Sequence, residues 1–255
     1  MIFYFSATGN SKYVAERIAA VTGDRLISLR DAVRSRRYRY EVGRSERIGF
    51  VAPDYFQGLP SIVHFFVKKL VLKNYTDQYV YLILTCGKWT GDAAGQMAKL
   101  LRKKGISLSA RFGILMVDNY VPAFTISDKE EAARILDQAE ASIDEAQRVI
   151  VDRGIGDYDR CQGPAPAVQT ALMYPAYAHG RSTKAFVVTD ACIGCGLCED
   201  ICPCGAISLR EGKPDWRKPT CVRCLGCLHR CPVEAIRWKK ADEDRGRYYN
   251  PRVVL

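Results

Sequence analysis

Eight of the eleven cysteines fall into two copies of one pattern, Cys192-x2-Cys195-x2-Cys198-x3-Cys202-Pro203 and Cys221-x2-Cys224-x2-Cys227-x3-Cys231-Pro232. Three thiolates at that spacing close on one iron–sulfur cubane from a single tight loop, while the fourth, on the following helical turn, points away. The second copy is the first displaced by 29 residues, and the same displacement carries Ala206 onto Ala235 and Ile207 onto Ile236. The segment is therefore an internal repeat. Zinc ribbons use paired C-x2-C knuckles, to which neither a third cysteine at the same spacing nor a terminal Cys-Pro belongs. A disulfide framework expects an exported chain, yet Met1-Ile2-Phe3-Tyr4-Phe5-Ser6 shows no basic start and no cleavage site. The expectation is a cytoplasmic iron–sulfur protein whose thiolates are kept available by reducing conditions.

The repeated motif resembles the bacterial two-cluster ferredoxins, in which the fourth cysteine of each run ligates the other cluster. That resemblance implies two [4Fe-4S] clusters, one held by Cys192, Cys195, Cys198 and Cys231 and the other by Cys221, Cys224, Cys227 and Cys202. Arg223, His229 and Arg230 lie among the cysteines of the second run. Positive charge there favours the more negative, reduced cluster, so the second cluster is expected to have the higher potential. Cys204 reads as packing near a cluster, and Cys86 and Cys161 stand outside both motifs.

A second constellation opens the chain. Ser6-Ala7-Thr8-Gly9-Asn10-Ser11 follows a first apolar run directly and leads into an amphipathic stretch. A helix N-terminus there offers backbone N–H groups and a positive dipole end, the hydroxyls of Ser6, Thr8 and Ser11 add donors, and Gly9 admits close approach. This is a phosphate cradle in the position where a doubly wound sheet would place one. It resembles the flavodoxin phosphate loop S/T-x-T-G-x-S/T, with the likeness covering roughly residues 1–150.

That resemblance implies FMN at the C-terminal strand edges, with Ser6, Thr8, Gly9, Asn10 and Ser11 at the phosphate. Two further loops would enclose the flavin ring. Pro53, Tyr55, Phe56 and Gly58 are expected from the loop after the third strand, and Thr85, Cys86, Gly87, Trp89 and Asp92 from the loop after the fourth. Asp92 reads equally well as a helix cap. Lys88-Trp89 departs from the simple acidic Gly-Asp turn of ordinary flavodoxins, so the flavin's potentials do not carry over from the family. The chain has no G-x-G-x-x-G after a strand, and hence no nicotinamide fingerprint.

The elements that must position these residues are legible as alternating apolar runs and amphipathic stretches. Five strands are expected, Ile2–Phe5, Leu26–Leu29, Ile48–Ala52, Tyr79–Leu84 and Phe112–Val117, with helices over Lys12–Ala20, Ser61–Lys73 and Asp92–Lys104. A last helix is expected from a Ser127/Glu130 capping box through Ile150. The fold class is α/β: a flavodoxin-like, doubly wound parallel five-stranded sheet of order 2-1-3-4-5, followed by a small α+β two-cluster ferredoxin-like domain. Boundaries fall at 1–152 for the flavodoxin-like domain, 153–183 for a Gly- and Pro-rich linker, 184–240 for the cluster module, and 241–255 for an aromatic tail expected to pack on a domain.

With 38 Lys and Arg against 28 Asp and Glu, the formal charge is +10. Two oxidised clusters with their thiolates bring this to about +6, and the FMN phosphate to about +4. Nucleic-acid binding loses much of its support. The Arg30–Arg47 stretch, with Arg34, Arg36, Arg37, Arg39 and Arg44 among Tyr38 and Tyr40, reads as a solvated loop or a docking patch for an acidic partner protein. The longest apolar candidate, Tyr79–Leu84, is far too short to span a membrane.

Both halves together resemble the flavodoxin–ferredoxin fusion proteins of anaerobic bacteria and archaea, over nearly the whole chain. The resemblance implies an electron-transfer protein that passes electrons between FMN and its clusters and on to a partner redox enzyme. The alternative is a flavin-dependent oxidoreductase that reduces a small molecule with electrons fed through the clusters. No acid–base couple stands out near the flavin loops and histidine is scarce, which favours the carrier.

Overall fold

The structure, a computed structural model, describes residues 1–239 and 245–255. The expected module end at Lys240 and the first tail residues, 241–244, lie outside the described residues. The first strands and helices run β1 (Ile2–Tyr4), α1 (Asn10–Thr22), β2 (Leu26–Ser28), α2 (Leu29–Arg34), β3 (Arg39–Glu41), β4 (Ile48–Pro53), α3 (Ser61–Lys69), β5 (Val71–Lys73), β6 (Val80–Cys86), α4 (Ala93–Arg102), β7 (Ala110–Leu115) and α5 (Lys129–Val151). The sheet is parallel with order β2-β1-β4-β6-β7, the expected 2-1-3-4-5 winding, and a sixth strand, β8 (Gly156–Tyr158), pairs outside β7.

Strand periodicity divides the core between the two sheet faces. Phe3, Phe5, Phe50, Leu82 and Leu84 pack with Ile62, Phe66, Met97 and Leu101 of α3 and α4. Ile2, Val51, Tyr81, Ile83 and Phe112 pack with Val14 and Ile18 of α1 and Leu136, Ile143 and Ile150 of α5.

Four expectations change. Arg30–Arg47 is not one loop: Ser28 caps α2 by accepting from the Asp31 N–H, and β3 pairs in parallel with β5, the segment expected to end α3. The cap of α5 is Asp128, whose carboxylate accepts from the Glu131 N–H at 2.8 Å, one residue beyond the expected box. The stretch 153–183 is structured. It supplies β8 and α6 (Pro166–His179), a helix with Pro175 inside it and no apolar stripe that periodicity could detect.

The cluster module follows as β9 (Phe186–Val188), α7 (Leu197–Asp200), β10 (Ile207–Arg210), β11 (Lys213–Trp216), α8 (Gly226–His229) and β12 (Ile236–Trp238). The 29-residue repeat is preserved in space: α7 maps onto α8, and the start of β10 onto that of β12. β10 pairs with β11 and β9 with β12, both antiparallel.

α6 braces the two halves. Its Tyr177, 1% exposed, donates from its hydroxyl to the Val222 carbonyl in the cluster module at 2.9 Å and accepts from the Ser61 N–H in the first domain at 2.9 Å. Tyr174 donates to Leu59 O at 2.7 Å and Thr170 to Gln57 O at 2.6 Å. The halves are thus held against each other by the segment that reads in sequence as a linker. The tail adds a second tie: Tyr248 N donates to His229 Nδ1 at 3.2 Å, and the Tyr248 hydroxyl to Asn10 Oδ1 at 2.6 Å.

Candidate functional site

A cavity of about 380 Å³ opens at the C-terminal edge of the sheet, where the strand order reverses. Ser6, Thr8, Asn10 and Ser11 line it from the first loop, Pro53, Tyr55 and Phe56 from the second, and Thr85, Cys86, Gly87 and Trp89 from the third. Three of the expected residues are not at its wall. Gly9 faces the tail, Gly58 lies under the Tyr174 ring, and Asp92 folds over its own helix against Gly95. Asp92 flanks α4 at the cap position but makes no side-chain cap bond.

The cradle is tied in place before any ligand arrives. Ser6 Oγ accepts from the Gly9 N–H at 3.1 Å, the Ser11 and Thr85 hydroxyls lie 2.7 Å apart, and Thr8 Oγ1 accepts from Asn119 Nδ2 at 2.5 Å. Asn10 Nδ2 donates to Val117 O at 3.1 Å. The first turn of α1 carries no acidic residue, so its dipole end stays open to an anion. In the second loop Phe56 and Gln57 both adopt left-handed backbone, at φ 55 and φ 60. Residues of this kind cost about 1–3 kcal/mol each and persist where surroundings over-determine them. Here Tyr55 and Gly58 exchange backbone hydrogen bonds across the turn, and Asp54 Oδ2 accepts from the Gln57 N–H at 3.0 Å.

Several wall residues have no counterpart among the sequence expectations. Asp54, Gln57 and Lys88 sit within the loops already singled out, whereas Met116 to Tyr120, Ala123 and Phe124 come from the loop after the fifth strand. That loop could have been found by position alone, since it leaves the same sheet edge. Met173 and Tyr177 come from α6, and Arg223, Cys224 and Leu225 from the cluster module. No sequence pattern announces these contributions from distant elements.

Asp54 Oδ1 and Gln57 Oε1 are buried with no hydrogen-bond partner. Buried orphan acceptors are costly, so a ligand bearing ring N–H groups fits this wall. Burial, reinforced by Asp159 and Asp118, pushes the Asp54 carboxyl well above the usual range, against the opposing pull of the Gln57 and Gly58 amides. A carboxyl whose pKa is raised on folding lowers stability as pH rises above its unfolded pKa of about 4, by up to about 1.4 kcal/mol per pH unit until its folded pKa is reached. Asp54→Asn, measured by urea unfolding of the flavin-free protein, is expected to gain on the wild type as pH rises above about 4. A pH-independent difference would show a charged carboxylate.

The eight motif cysteines ring two small adjoining voids. Cys192, Cys195, Cys198 and Cys231 line one, Cys202, Cys221, Cys224 and Cys227 the other, with Cys227 touching both and Cys204 beside the second. Among the described residues no three His, Cys, Asp or Glu side chains converge where a single ion would sit. Ala206 N and Ala235 N, equivalent in the repeat, donate to Cys202 Sγ and Cys231 Sγ at 3.2 and 3.3 Å, and Arg223 N to Cys221 Sγ at 3.2 Å. Amide donors to sulfur of this kind suit iron–sulfur ligation and raise cluster potentials.

The first set is the more open, with Cys195 exposed, while Cys202 and Cys227 are buried. The second set lies against the cavity, where Cys224 forms part of the wall.

The charges expected around the second set are distributed differently. His229 is 2% exposed, and burial lowers its pKa to about 4, so the ring is neutral. Its Nδ1 accepts from Tyr248 N, which leaves Nε2 to donate to Asn119 O at 2.7 Å. Arg230 borders the first void. Arg223 alone sits between the second set and the cavity, its guanidinium 5.6 Å from the Phe56 ring, 5.3 Å from Tyr120 and 4.8 Å from Trp238, with Nη1 donating to Gly180 O at 2.7 Å.

A doubly wound α/β domain with a phosphate cradle, joined to a duplicated four-cysteine module, defines a flavin and iron–sulfur protein of the electron-transfer class. The family model of the flavodoxin domain matches residues 1–147 and that of the 4Fe-4S dicluster domain residues 191–236, so the chain belongs to the flavodoxin family and carries a fused ferredoxin module. The module is 31% identical over 75 residues to an uncharacterized ferredoxin of Methanocaldococcus jannaschii, covering 26% of this chain and 97% of that one. It is 40% identical over 57 residues to a component of the ion-translocating oxidoreductase complex of Methanosarcina acetivorans, 22% of this chain and 21% of that component. A ferredoxin-like protein in the nif region of Trichormus variabilis is 37% identical over 49 residues, 19% of this chain and 42% of that protein. The chain thus spans less than half the length of these last two relatives. Among solved structures, the Trp repressor binding protein from Bacillus subtilis superposes with a TM-score of 0.40 at 15% identity, covering 59% of this chain and 97% of that one. Among the described residues no helix is long and apolar enough to cross a membrane.

Proposed function

We propose that this protein is a cytoplasmic electron carrier of anaerobic metabolism that holds FMN in the cavity and two [4Fe-4S] clusters in the cysteine voids, and that relays electrons between them and a partner redox enzyme. One observation carries the reading: Cys224, between Arg223 and Leu225, belongs both to the second cysteine set and to the wall of the cavity that Ser6–Ser11 open. Bound FMN supplies chemistry in one or two electrons and each cluster in one, so the pairing converts between the two currencies. Ser6, Thr8, Asn10 and Ser11 would hold the phosphate, Tyr55, Phe56 and Trp89 would flank the ring, and Arg223 would place a cation between ring and second cluster. The first set, with Cys195 at the surface, would meet the partner. The domain limits proposed are 1–152 for the flavin domain and 184–240 for the module.

Arg223→Gln is expected to lower the midpoint potentials of both the flavin and the second cluster while leaving the first cluster unchanged. Spectroelectrochemistry with cluster signals assigned by magnetic resonance reads this directly, and a shift in the first cluster alone would refute the placement. The reading as a whole is tested by reconstituting the holoprotein anaerobically, reducing it through the clusters, and following flavin absorbance by stopped flow. Flavin reduction without a partner protein is expected. Steady turnover of a small-molecule acceptor would favour the oxidoreductase instead, for which the Asp54 carboxyl, its pKa raised by burial, would be the proton donor in the cavity.

A further inference from the structure

Two cysteines outside the repeated motif are neighbours in the fold, and one of them, Cys86, forms part of the wall of the same cavity. Cys86 ends β6 and is 6% exposed, and the half-buried Cys161 is the neighbour that most strongly perturbs its thiol. They are far apart in sequence, so the contact is made by tertiary structure. Leu84 on β6 pairs with Gly113 on β7, and Cys86 shares the Leu84 face. A Cβ on Gly113 would stand 3.0 Å from the Cys161 Cβ and 2.0 Å from Asp159 Oδ1, so the missing side chain is what lets the 159–161 segment lie on this face.

The segment is fastened to the third cavity loop at every step. Thr90 N donates to Cys161 O at 2.8 Å, the Thr90 hydroxyl lies 2.7 Å from Asp159 Oδ2, and Cys161 N donates to Asp159 Oδ1 at 2.8 Å. Gly163, at φ +74, backs onto the Trp89 ring. Nothing in the relay of electrons through the clusters uses either thiol. Proximity to Cys161 and burial push the Cys86 thiol up, while proximity to Cys86 pulls Cys161 down. Cys161, the more open sulfur, is therefore the one that ionises first.

We propose that Cys86 and Cys161 are a redox-active dithiol–disulfide couple that exchanges an electron pair with the flavin across the cavity wall. In the oxidising direction both S–H bonds break, one S–S bond forms, and the two electrons and two protons released pass to the oxidised flavin; the reverse step restores the thiols. The couple gives the flavin a two-electron neighbour besides its one-electron clusters. Its external substrate class is a disulfide, attacked by the Cys161 thiolate, the less buried of the two sulfurs.

The inference rests on the flavin reading above, and its test separates the two. Flavin-loaded holoprotein is treated with diamide, digested without reductant and searched by mass spectrometry for a Cys86–Cys161 cross-link. A parallel sample is titrated anaerobically with dithionite until the flavin is bleached. The wild type is expected to show the cross-link and to consume one electron pair more per flavin than C86S or C161S of equal flavin and iron content. No cross-link, or equal electron uptake by the wild type and both variants, overturns the couple. Reconstituted protein that carries no flavin absorbance overturns both readings, whereas flavin-loaded protein with unlinked thiols overturns this one alone. C161S, at the half-buried position, keeps the test available should C86S fold poorly.

Discussion

Gly9→Ala is expected to destabilise the protein by about 2–5 kcal/mol and to release flavin and tail together. Gly9 sits at φ +104 before α1, a conformation that L side chains rarely adopt. An added Cβ would stand 2.8 Å from Asn250 Cβ and 2.9 Å from Val253 Cγ1, so the tail has to move or the loop has to turn. Either response breaks the hydrogen bonds from Asn250 N to Thr8 O at 2.7 Å and from Asn250 Nδ2 to Asn10 Oδ1 at 3.2 Å. Asn250 is fully buried, and leaving its amide unpaired adds a penalty of about 1–3 kcal/mol. Thermal unfolding and flavin fluorescence on the same sample check the expectation. A variant of normal stability with normal flavin retention would show that the loop and the tail are independent.

Cys224→Ser is expected to cut iron and sulfide per chain roughly by half and to slow flavin reduction through the clusters by more than an order of magnitude. Cys224 belongs to the set that adjoins the cavity, and the set with exposed Cys195 lies on its far side. Loss of the inner cluster would leave the outer one without a stepping stone. Cys195→Ser is the control, because it disturbs the outer site and leaves the inner cluster beside the flavin. Should both variants reduce flavin equally fast, the inner cluster would not be on the route.

The parts of the molecule governed by short-range rules are legible in the sequence. The strand–turn–helix at Ser6–Ser11 and the three-cysteine runs are local patterns, and the repeat carries the equivalence of α7 and α8. What escapes a sequence reading depends on contacts between distant residues. α6 has Pro175 inside it and shows no apolar stripe, and it is held by the Tyr174, Tyr177 and Thr170 hydroxyls, whose partners lie more than forty residues away in sequence. Gly9 reads as a ligand contact because glycine marks close approach, yet sequence does not say whether a ligand or another piece of chain approaches. His229 reads as a charge, but burial and two neutral partners make it a structural bracket between the tail and the Asn119 loop.

The seal of residues 248–250 over the first loop bears on the order of events during synthesis. Domains fold as they leave the ribosome, N-terminal portions first. The cradle at Ser6–Ser11 is therefore made long before Tyr248 and Asn250 exist to fasten Asn10 and Thr8 from behind. A nascent chain would present a loose cradle that exchanges cofactor readily, and a chain that has emerged past Asn250 a braced one that exchanges it slowly. Emergence of residues 248–250 would then act as the latch on cofactor loading.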